Sequence, residues 1–106
     1  MFGWKKKVNK AVWAEILYQK KIAHPERESA EKLSQLTTFM LEQYHRIIIE
    51  SVQIVLETKC ADTRQGRISL IQKHYQDMQK LKPFCNNEQL AMIQEAEKAM
   101  RQASLL

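Results

Sequence analysis

Glu42 and His45 stand three residues apart, and in a helix that spacing puts a carboxylate and an imidazole on adjacent turns of one side. Helical bundles hold pairs of metal ions with such a motif. Those centres need a second Glu-x-x-His and two further carboxylates aimed into the core. The chain contains no second Glu-x-x-His. On a helical wheel His45 falls at the margin of the apolar sector and Glu42 well outside it. The pair reads as surface residues, and no metal site is assigned.

His74 is placed differently, inside the apolar sector of its helix beside Tyr75 and Met78. It reads as a core histidine hydrogen-bonded to a neighbour. The chemical alternative is a ligand or proton-transfer group in a bundle cavity, which would make this a helical ligand or metal protein centred on His74. His24 precedes Pro25 and belongs to a helix junction. Cys60 and Cys85 follow no metal or redox spacing and read as reduced thiols. No serine, threonine or cysteine has a base at motif spacing, and no glycine-rich loop could cradle a phosphate. With two glycines in 106 residues there are few loops on which to build a catalytic site. The expectation is a protein that is not an enzyme, with neither catalytic residues nor a cofactor.

The charge is more informative than the motifs. The chain carries a formal +5, and all of it sits at one end. Residues 1–23 hold six lysines against Glu15 alone, while the remaining residues balance eleven basic side chains with eleven acidic ones. A body without net charge offers no broad phosphate-binding surface, so a polyanion would have to meet the first segment. Plotted as a helix, that segment puts Trp4, Val8, Ala11, Val12, Tyr18 and Ile22 on one side. Lys6, Lys7, Lys10, Lys20 and Lys21 lie on the other, with Trp13 and Leu17 among them. A basic rim around an aromatic anchor suits docking onto an acidic protein surface, where charge steers the encounter and tryptophan supplies contact energy. Nucleic acid is the alternative partner; the segment lacks arginine, the preferred reader of base edges. Glu15 and Gln19 interrupt the stripe that an interfacial membrane helix would need.

These residues must be positioned by helices. Apolar residues make up 44% of the chain and charged residues 27%, the composition of a folded globular protein. Two glycines and two prolines are too few for the turns a sheet requires. No apolar run approaches a membrane span, and no signal-peptide core follows the N-terminal lysines. Periodicity and punctuation predict one helical domain over 1–106, with helices over about 4–22, 26–60, 63–82 and 87–104. The architecture expected is all-α, a four-helix bundle or related array with one long central helix.

That central helix raises a packing question. Thirty-five residues span about 50 Å, roughly twice the other helices. Either residues 34–38, with two adjacent threonines, break it, or its excess packs on another chain. The second reading assigns self-association to Phe39, Ile49 and Leu56. Phe39 points away from the apolar sector, whereas Ile49 and Leu56 widen that sector in the second half. The combined expectation is a cytoplasmic, homodimeric, non-enzymatic interaction module of adaptor, chaperone, immunity or inhibitor type.

Overall fold

Residues 33, 40, 41, 44, 48, 52 and 55 repeat at helical spacing, and in the structure all seven are buried along one face of a single helix. The computed structural model describes residues 30–106; the helix expected over 4–22 lies outside them. Among the described residues there are three α-helices and no strand: α1 (Ala30–Glu57), α2 (Ala61–Leu81) and α3 (Asn87–Gln102), with one 3-10 turn at Lys82–Phe84. The fold is all-α. No helix among the described residues is long and apolar enough to cross a membrane.

α1 runs 28 residues without a break, through residues 34–38. The threonine there that could have disturbed it is satisfied internally. Thr37 is buried, and its hydroxyl donates to the Leu33 carbonyl at 2.8 Å, one turn back. The helix ends at Glu57, and Thr58 and Cys60 make the reversal, with the Cys60 N–H donating to Thr58 Oγ1 at 3.1 Å. Cys60 has extended backbone angles at the N-cap of α2, and Asp62 lies in its first turn, where its charge suits the helix dipole.

Two contacts set the direction of α2. His74 stacks edge-on against Tyr44 with ring centroids 5.5 Å apart, and Arg67 reaches Ser51 at 3.5 Å. Later residues of α1 thus meet earlier residues of α2, so the helices are antiparallel. Ile71, Met78 and Leu81 are the buried residues of α2, and each contributes about 1.5–3 kcal/mol by leaving water. Pro83 stops the helix in the 3-10 turn.

α3 begins with a full capping box. Asn86 accepts from the Gln89 N–H at 2.8 Å, and Gln89 Oε1 accepts from the Asn86 N–H at 2.8 Å. Ile93, Ala96 and Met100 face the core, and the small Ala96 is fully enclosed. At the other end the Leu105 N–H reaches the Met100 carbonyl and the Ser104 N–H the Arg101 carbonyl. Ser104 takes the left-handed conformation, with φ of 59°. This is a Schellman closure with serine where glycine is usual. α2 and α3 pack chiefly on α1 rather than on each other, which makes α1 the axis of the described body. One polar tie joins the outer two: Tyr75 donates to Glu97 at 2.6 Å, and Gln79 donates to the same phenol oxygen.

Candidate interaction groove

The position of α3 is fixed by a buried carboxamide. Gln89 is 1% exposed, and its Nε2 donates to Thr38 Oγ1 at 2.7 Å and to the Ser34 carbonyl at 3.1 Å. The residues that could have broken α1 are therefore where α3 docks. Further along, His45 Nε2 lies 3.3 Å from Glu95 Oε1. The two atoms are close without forming a hydrogen bond, and the contact is an ion pair only when the imidazole is protonated. From Ser34 with Gln89 to His45 with Glu95, both helices advance together. α3 is parallel to α1.

Two helices side by side leave a furrow, and here its outer end is open. Ile49, Val52, Gln53 and Leu56 of α1 face Glu95, Lys98, Ala99 and Gln102 of α3 across a groove of about 220 Å³. The floor is apolar because Val52 is buried and Ala99 is too small to fill the space. The lip is apolar too, since Leu56 keeps 50% of its surface in water. Amide and charged groups of Gln53, Glu95, Lys98 and Gln102 line the rest. Gln53 also donates to Glu57, which ties down the end of α1. An apolar floor within a polar border is the anatomy of a protein-binding surface.

The structure brings together Ile49 and Leu56, two of the residues assigned to self-association, and leaves the third apart. Phe39 is 55% exposed on α1, about 15–25 Å back along the axis from Ile49 and Leu56 and 80–100° round from them. Val52, Gln53, Glu95, Lys98, Ala99 and Gln102 complete the site, and the sequence reading assigned none of them to an interface. Its one signal was the apolar sector that Ile49 and Leu56 widen. Lys6, Lys7, Lys10, Trp13, Leu17, Lys20 and Lys21 lie outside the described residues.

The candidate chemical groups are dispersed. Glu42 is exposed and His45 half-buried, and His45 turns to Glu95 rather than to Glu42. His74 Nδ1 bonds the Leu70 carbonyl at 2.8 Å within its own helix. Among the described residues no three His, Cys, Asp or Glu side chains gather as metal ligands would. The two thiols are free and unlike. Burial pushes Cys85 up to about 11. At exposed Cys60 the Thr63 hydroxyl, then the backbone N–H groups of Thr63 and Asp62, hold the thiol below its ordinary value. Burial, and then the nearby Asp77 carboxylate, raises Tyr44 to about 12.

No protein-family model matches the chain, and neither a curated protein nor a solved structure is similar to it. The class defined by the fold alone is an all-α protein built on one long helix.

Proposed function

We propose that this protein is a non-enzymatic helical interaction module that binds a protein partner, a second copy of itself, or both. The observation that carries the reading is Leu56, half in water at the lip of an apolar-floored groove. Covering that leucine and the floor beside it would remove apolar surface from water, at about 25 cal/mol per Å². In the same reading residues 4–22 supply the fourth helix of the bundle. Lys6, Lys7, Lys10, Lys20 and Lys21 surround Trp13 and Leu17 as a second docking face for an acidic protein surface.

The test is a pull-down from native cells with the tagged full chain, set against Leu56→Asp and Trp13→Ala. The reading expects a bound protein to be lost from one variant or both, with the helical circular dichroism of the wild type retained. Equal recovery by all three chains refutes it. Capture of nucleic acid that fades steeply with salt, and disappears when the lysines become glutamine, would move the function to the other partner class.

A further inference from the structure

We draw no further inference here: the strongest candidate, the apolar-floored groove between α1 and α3 with Leu56 at its lip, belongs to the site already described, and nothing in the structure shows what covers it.

Discussion

Gln89→Leu is the sharpest perturbation of the described body, because it removes polar chemistry from a site of nearly unchanged shape. The side chain is 1% exposed and does two jobs. Its Nε2 donates to Thr38 Oγ1 at 2.7 Å and to the Ser34 carbonyl at 3.1 Å, and its Oε1 closes the capping box from Asn86. Each enclosed bond to α1 has a net value of about 1 kcal/mol. The cap bond lies at an exposed turn and contributes about 0.5 kcal/mol. Against these, a buried leucine leaves water more readily than a carboxamide, which offsets about 1 kcal/mol. The difference is a loss of about 1.5 kcal/mol, or roughly 5–10 °C in melting temperature for a chain of this size.

Urea unfolding followed by circular dichroism measures the loss, with Thr38→Val and the double variant completing a cycle. Thr38→Val deletes only the hydroxyl partner. The two changes should therefore overlap, with a coupling energy of about 1 kcal/mol for the 2.7 Å bond they share. The slope of the transition should not change, since the surface exposed on unfolding is the same. A coupling near zero would refute the bond. A Gln89→Leu chain as stable as wild type would show that α3 is held by its apolar face alone.

Four other outcomes follow from the same structure. Ser104→Gly should stabilise the chain by about 1 kcal/mol in thermal melts, because serine at φ of 59° carries a steric cost that glycine does not. Gly66→Ala should add about 0.5–1 kcal/mol, since the glycine lies within α2 and a Cβ there meets no atom within 4 Å. With limiting iodoacetamide near neutral pH, mass spectrometry should find Cys60 modified well before Cys85; the first is exposed with a lowered thiol, the second half-buried and raised to about 11. Folded Cys85 and Tyr44 keep their protons to about 11 and about 12, whereas the unfolded chain releases them from about 9 and about 10. Their contribution is thus fully present below about pH 9 and is lost as pH rises through 9–12, so the urea midpoint should fall there and Tyr44→Phe should flatten the fall above about 10.

The helices were legible because their evidence is periodic. Ile48, Val52 and Val55 on α1 or Ile93, Ala96 and Met100 on α3 recur at intervals that no strand would bury. The docking of those helices was not legible, and residues 34–38 show why. In the sequence Ser34, Thr37 and Thr38 look like polar weaknesses in an apolar run. In the structure Thr37 is satisfied by its own helix, and Ser34 and Thr38 receive Gln89, 51 to 55 residues later. A hydrogen bond between distant positions leaves no period, so one half of it reads as a defect until the other half is placed.

The groove follows the same logic with apolar residues. Ile49 and Leu56 widened the apolar sector of α1, and that width requires a second neighbour without saying which. α3 supplies that neighbour, but incompletely, because the residue it presents opposite Val52 is Ala99. A leucine there would fill the furrow and give Leu56 a partner within the chain. The groove is thus the consequence of one small side chain on a helix that otherwise fits. Filling it with Ala99→Leu should compete directly with whatever covers Leu56. If a second copy does so, Ala99→Leu should yield a more stable monomer that no longer dimerises, read by thermal melting and sedimentation together. A more stable chain that dimerises as before would separate the groove from the dimer.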